Sequence, residues 1–122
     1  MTDKGKTMGV KRAEIVTLAD AVVFEDHGMI SRRLVRRAHG SEHMSFHVTT
    51  MPAGYDDPAV LYPDHDEIVY VLSGAVEVTT DDAGPRALTK GMALFVPRGT
   101  RYGYRVTEAP NEIIAVFSPA KI

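Results

Sequence analysis

The sequence contains no cysteine and no tryptophan, and its 122 residues carry a formal net charge of only −2. Without cysteine there is no disulfide and no thiolate ligand for a metal ion, which is compatible with a reducing cytoplasm. The small net charge gives no general attraction to nucleic acid or to an anionic membrane surface. No run of roughly 18 apolar residues occurs, and the first residues lack the apolar centre of a signal peptide. We therefore expect neither a nucleic-acid nor a membrane partner.

The composition is that of an ordinary globular domain, with 44% hydrophobic and 25% charged residues. The length matches a single domain large enough to bury a core. Residues 1–12 offer little to bury, so we interpret them as a mobile N-terminal tail. Residues 13–122 are then the folded domain.

From residue 30 onward, short segments rich in β-branched and aromatic residues alternate with turn signals. The segments are SRRLVRR, MSFHVTTM, EIVYVLS, AVEVTT, ALFVP, RYGYRV and EIIAVFS. Turns are predicted between them, among others at Ser73-Gly74, Asp81–Pro85 and Ala109-Pro110-Asn111. This spacing predicts an all-β sandwich or barrel. Residues 13–28 permit either a strand or a brief helix.

Two spaced motifs make the fold more specific. Glu67 stands seven residues before Gly74, and GMALFVPRGTRY follows at 91–102. Together they resemble the two motifs of the cupin superfamily, over roughly residues 45–117. The resemblance implies a double-stranded β-helix, a jelly-roll barrel with a pocket at one end, and a homodimer. SRRLV, MSFHVTT and AVFSP further resemble ectoine synthase, a cupin that closes a ring by eliminating water. HDEIVYVLSG and VFSPAKI resemble equally the cupin associated with ethanolamine utilisation.

The resemblance also implies a divalent metal, held by two histidines, a glutamate and a third histidine. The corresponding positions here are Val60, Tyr62, Glu67 and Tyr102. A remaining set of Tyr62, His65, Glu67 and Tyr102 would suit Fe, Mn or Zn, although a tyrosine must lose its proton to bind well. Both a metal site and a metal-free pocket stay open at this point.

Titratable residues are crowded immediately before an apolar strand, at the entrance to the expected core. Glu67, Tyr62 and His65 are the catalytic candidates, because a glutamate in an apolar barrel has a raised pKa and histidine titrates near neutrality. His65 shares strand parity with Glu67 and is expected to face the same cavity. The alternative is structural: Glu67 pairs with an arginine, and the tyrosines lie at the rim of the barrel with their hydroxyl groups in solvent.

Four further residues are candidates for substrate binding: Arg33, His47, Thr49 and Tyr104. An arginine facing the barrel mouth would bind a carboxylate through two parallel hydrogen bonds. The alternative for the arginine-rich segment is a charged edge strand that resists aggregation.

Two functions follow. The first is a small cupin enzyme, with or without a metal, that performs an elimination, cyclisation or isomerisation on a small carboxylate-bearing substrate. The second is a metal-free cupin that binds and shelters a metabolite, as the ethanolamine-utilisation resemblance allows.

Overall fold

The computed structural model describes residues 12–122, so the predicted tail, except for its last residue, lies outside the described residues. The strands in this range are β1 Val22–Asp26, β2 Met29–Val35, β3 Ser45–Met51, β4 Asp56–Leu61, β5 Asp66–Thr80, β6 Ala83–Thr89, β7 Ala93–Val96 and β8 Arg101–Ser118. The prediction of an all-β fold is confirmed.

Helix is confined, within residues 12–122, to the short 3-10 turns Leu18–Asp20 and Arg37–His39. Residues 13–28, for which the sequence permits either a strand or a brief helix, contain the first of these turns and β1. Nothing helical in the described part of the chain is long and apolar enough to cross a membrane.

All eight strands belong to one hydrogen-bonded network, in which the two longest strands are central. Along its main path the order is β1-β2-β3-β8-β5-β6, while β4 pairs with β8 and β7 pairs with β5. Every pairing is antiparallel. Because β5 and β8 each contact strands at both of their ends, they join the two halves of the barrel.

Two of the predicted turns are wrong, since Ser73-Gly74 and Ala109-Pro110 lie inside β5 and β8. The two irregular points face each other, and the pairing register shifts between Val71 and Val76. Gly74 has a φ of +72°, and Ser73 Oγ donates a hydrogen bond to the carbonyl of Pro110. The glycine and the proline therefore bend two paired strands together rather than ending them, as β-bulges do at barrel corners.

Alternation along the strands separates an inner from an outer face. In β3 every second residue, from Ser45 to Met51, is buried. In β5, Glu67, Val69 and Val71 are buried, whereas Ile68 and Tyr70 are 45% and 40% exposed. The apolar residues on both sides of this strand thus divide into a core face and an exposed face.

Replacing Gly74 by alanine is expected to destabilise the fold by roughly 2 kcal/mol or more. A Cβ there would contact the carbonyl oxygens of Glu108 and Pro110 at 2.5 Å or less, in a backbone conformation that L residues rarely adopt. Gly84→Ala is the matched control, because nothing lies within 4 Å of its Cβ position. Urea denaturation of both variants checks this, and equal midpoints would contradict the proposed role of Gly74.

Candidate functional site

The inner faces of the strands enclose a cavity of about 310 Å³, at the lower end of the sizes usual for small-molecule sites. Most of the residues predicted for the site line it: Arg33, His47, Thr49, Tyr62, Glu67, Tyr102 and Tyr104. They come from strands in both halves of the barrel and from one connecting segment. The barrel therefore contains a pocket of mixed polar and apolar character.

The centre of the cavity is a carboxylate–phenol pair. Glu67 is only 4% exposed and Tyr102 only 5%. The Tyr102 hydroxyl donates a 2.7 Å hydrogen bond to Oε1 of Glu67. Burial raises the pKa of Glu67, an effect that the Tyr102 hydrogen bond and the charge of Lys121 partly oppose. Burial and the Glu67 charge raise the pKa of Tyr102 well above its ordinary range, so the phenol keeps its proton at neutral pH.

A second pair lies beside the first. The ammonium group of Lys121 donates a 3.1 Å hydrogen bond to the Tyr62 hydroxyl. Its Nζ is also 4.5 Å from the centroid of the Tyr62 ring and 4.8 Å from that of Phe117, within the range of cation–π attraction. Burial raises the pKa of Tyr62 to about 12, and burial lowers the pKa of Lys121.

Arg33 supplies another positive charge, from β2. Its guanidinium lies 4.8 Å from the centroid of the Phe24 ring, and its buried Nε has no hydrogen-bond partner among the residues that the structure describes. Among residues 12–122, no salt bridge joins Arg33 or Lys121 to a carboxylate. Burial lowers the pKa of Arg33, although an arginine stays charged at any physiological pH. A donor left unpaired in this way can bind an anionic group.

His47 is the direct cross-strand neighbour of Arg33 and is 2% exposed. In the described part of the chain, its Nε2 has no hydrogen-bond partner. Burial first, then the charges of Arg33 and Lys121, lower its pKa to about 4. The imidazole is therefore neutral at physiological pH and faces the cavity as an uncharged polar group.

A row of three phenol rings runs from Glu67 toward the β1 side of the cavity. The Tyr102 and Tyr104 rings are stacked with centroids 6.1 Å apart, and Tyr55 follows at 6.3 Å from Tyr104. The Tyr55 hydroxyl donates a 2.9 Å hydrogen bond to Asp26. This wall is both apolar and rich in hydroxyl groups, which suits a small polar ligand with a hydrocarbon part.

His65 does not line the cavity, contrary to the expectation from strand parity. Its Nδ1 lies 2.9 Å from the carbonyl oxygen of Pro119, and its ring meets that of Phe117 edge-on. The reason is that β5 begins at Asp66, so residue 65 belongs to the preceding turn and does not follow the alternation of the strand.

The donor set does not fit the divalent metal that the sequence resemblance implies. Oε1 of Glu67 accepts a hydrogen bond from Tyr102, while the Tyr62 oxygen accepts one from Lys121. Both phenols hold their protons strongly, and a protonated phenol is a poor metal ligand. Among the described residues no group of three or more His, Asp or Glu is suitably placed to hold a metal ion.

Sequence reasoning missed three of the residues that shape this site: Lys121, Phe24 and Tyr55. Lys121 follows the last strand, where no periodicity predicts its direction. Phe24 lies in a segment whose structure the sequence leaves open. Tyr55 directly follows a cluster of turn-forming residues, so the pattern predicts a loop there. Its position just before a strand could have indicated a role, because an aromatic residue there can pack inward.

Comparison with known proteins identifies a family and several similar proteins. A family model for the cupin domain matches residues 46–117. L-ectoine synthase of Thermobifida fusca is 30% identical over 89 residues, which are 73% of this chain and 65% of that protein. The chain thus spans slightly less than two thirds of the length of that relative.

Solved structures share the fold at lower sequence identity. KdgF from a Halomonas species superposes with a TM-score of 0.77 at 21% identity, covering 88% of this chain and 96% of that one. Ectoine synthase from P. lautus gives 0.76 at 22% identity, covering 88% and 78%. Oxalate decarboxylase of Bacillus subtilis, a protein with Mn(II) centres, gives 0.74 at 17%, covering 92% and 32%. At this identity they show a common architecture.

His47 is expected to make the protein less stable in acid. An unfolded histidine takes up a proton near pH 6.5, whereas folded His47 does so only at about pH 4. Between these values the unfolded state binds more protons, so the free energy of unfolding falls as the pH falls. From about pH 7 to about pH 4.5, the loss in the wild type should exceed the loss in His47→Gln by about 2 kcal/mol. Denaturant titrations at both pH values measure this, and equal losses would contradict it.

Proposed function

The chain belongs to the cupin family, and we propose that it is an enzyme of that family performing acid–base chemistry on a small carboxylate-bearing metabolite. The observation that carries this proposal is the buried Glu67–Tyr102 pair in a cavity that also holds Arg33 and Lys121. A general base with a raised pKa next to unpaired positive charge is typical of active sites, whereas elsewhere such buried groups only lower the stability of the fold. KdgF and the ectoine synthases share the fold, which supports a small-molecule role.

The substrate carboxylate is held by the cationic side of the cavity. Within residues 12–122, Arg33 Nε is buried without a partner, and Lys121 donates one side-chain hydrogen bond, to Tyr62. Both therefore retain donors for an anion. Each charge-assisted hydrogen bond to the carboxylate contributes about 1.5–3 kcal/mol. His47 and Thr49 complete this side with neutral polar groups.

Proton transfer is carried out by Glu67 and Tyr62. Glu67 removes a proton from a carbon of the bound substrate, since burial raises its pKa and makes it a stronger base than a solvated carboxylate. Tyr62 accepts a hydrogen bond from Lys121, which leaves its own O–H free to donate. Its proton goes to the leaving oxygen in an elimination or cyclisation, or to the carbon skeleton in an isomerisation. Tyr102 keeps Glu67 in place.

Hydrogen–deuterium exchange tests this on a panel of candidate substrates. Small hydroxy, keto and amino acids are incubated with the protein in D₂O, and loss of C–H signals is followed by NMR. A substrate should show enzyme-dependent exchange or conversion. Glu67→Gln should slow it about 100-fold or more, because the base is lost. Arg33→Met should raise KM, whereas Arg32→Met should not, because Arg32 precedes it on β2 but does not line the cavity.

The outcomes separate the two candidate functions. Exchange that survives Glu67→Gln would exclude Glu67 as the base. Binding of a carboxylate without exchange or turnover would instead favour the metabolite-sheltering cupin. Absence of both binding and exchange over the whole panel would overturn the proposed carboxylate class.

We also propose that two copies pair through the outer face of the sheet, defined here by Phe95, Ile68, Val116 and Phe46. These residues are direct cross-strand neighbours in β7, β5, β8 and β3 and so form one apolar row. Ile68 is 45% exposed and Phe95 61%. A flat apolar row of this kind can pair with its own copy about a two-fold axis, and its exposure in a monomer would be a liability.

Phe95→Asp is expected to convert a dimer into a monomer, because it replaces the most exposed residue of that apolar row by a charged one. Size-exclusion chromatography with light scattering measures the mass directly. Leu61→Asp is the matched control, since Leu61 is 40% exposed but lies on β4, away from this row. A monomeric wild type, or a dimer that only Leu61→Asp disrupts, would refute this interface.

A further inference from the structure

Lys121 is held in the cavity by contacts on several sides. Its Nζ donates to the Tyr62 hydroxyl at 3.1 Å and lies 4.5 Å and 4.8 Å from the centroids of the Tyr62 and Phe117 rings. The side chain is half-buried and lines the same cavity as Glu67. These contacts stabilise the charged form of the amine, because aromatic faces and a phenol oxygen all attract a cation.

The backbone on either side of Lys121 is fixed to the rest of the fold. Its own N–H donates a 3.0 Å hydrogen bond to Oγ of Ser45, a fully buried residue at the start of β3. Ala120, which is 0% exposed, donates to the carbonyl of Glu42 at 3.1 Å, and Arg37 donates to the carbonyl of Ile122 at 2.9 Å. The ammonium group is therefore positioned by a segment with three hydrogen-bonded attachments, which is what a functional group needs.

The oxygen atoms that a metal ion would bind, on Glu67 and Tyr62, already accept hydrogen bonds. Tyr102 donates to Glu67, and Lys121 donates to Tyr62. A divalent ion bound between Glu67 and Tyr62 would displace at least one of these protons and would lie next to the Lys121 charge. The metal ion and the Lys121 ammonium are both positive, and like charges repel strongly in a partly desolvated cavity.

We infer that the Lys121 ammonium is the resident cation of the cavity and takes the place of a divalent metal, binding the anionic group of the ligand. The inference uses the cavity of the proposed function but does not depend on turnover. An ammonium has three N–H donors, of which Tyr62 occupies one, so two remain for the oxygens of a carboxylate. Arg33 adds a second positive charge, and together they supply the anion attraction that a metal would supply.

Metal content and anion binding test the inference on the intact chain. The protein is purified without chelator and without a nickel column, then dialysed against Mn(II), Fe(II) or Zn(II) and freed of excess ion. Mass spectrometry of the elements should find far less than one ion per chain. Benzoate, a small carboxylate probe, should bind this metal-free protein in calorimetric titration. Lys121→Met should bind benzoate about tenfold more weakly or worse, because a charge-assisted hydrogen bond is lost.

Lys90→Met is the matched control, because Lys90 follows β6 and does not line the cavity. It should bind benzoate as the wild type does. Stoichiometric metal in the wild type would overturn the inference, as would failure of the metal-free wild type to bind benzoate or equal binding by Lys121→Met. The wild-type measurements need no variant, so they can overturn the inference even if Lys121→Met does not fold. Since none of the readouts is turnover, failure here is distinct from failure of the proposed enzymatic role.

Discussion

The carboxylate of Glu67 lies in an interior where an unpaired charge would be strongly unfavourable, and the hydroxyl of Tyr102 makes that position tolerable. The two residues belong to the two longest strands, β5 and β8, and each is at most 5% exposed. Because their hydrogen bond joins these strands inside the cavity, the same contact serves the fold and the chemistry. A buried carboxylate without this partner would either stay protonated or destabilise the core.

The charges in the cavity are arranged around that pair. Arg33 and Lys121 come from distant parts of the chain, yet both line the cavity that contains Glu67. The lining also includes the carboxyl groups of Asp26 and Asp57, so the described part of the chain gives the cavity two cations, three carboxyl groups and a neutral histidine. Arg33 and Lys121, which form no salt bridge within residues 12–122, give the cavity a cationic side that suits an anionic group better than a metal cation. The chain thus departs from the metal-binding pattern that its sequence motifs imply while keeping the cupin architecture.

The architecture could be predicted from the sequence because it depends on local and repeated signals. Arg33 and His47, two of the candidates for substrate binding, line the cavity. The turn predicted at Ser73-Gly74 is wrong, because the same residue types occur in turns and in paired bulges. Only the pairing with the opposite strand distinguishes the two. His65 precedes its strand by one residue, so parity did not apply to it. Lys121 reaches the cavity only because the segment after β8 is hydrogen-bonded to residues distant in sequence. Contacts of this kind arise from the closed barrel and cannot be inferred from composition or spacing.

The row of phenol rings has a spectroscopic consequence. The chain has five tyrosines and no tryptophan, and four of the five, Tyr55, Tyr62, Tyr102 and Tyr104, line the cavity. Most of the tyrosine side chains therefore lie in the walls of the pocket, with no indole signal to obscure their fluorescence. Binding of an unlabelled compound in the pocket can be followed by intrinsic tyrosine fluorescence.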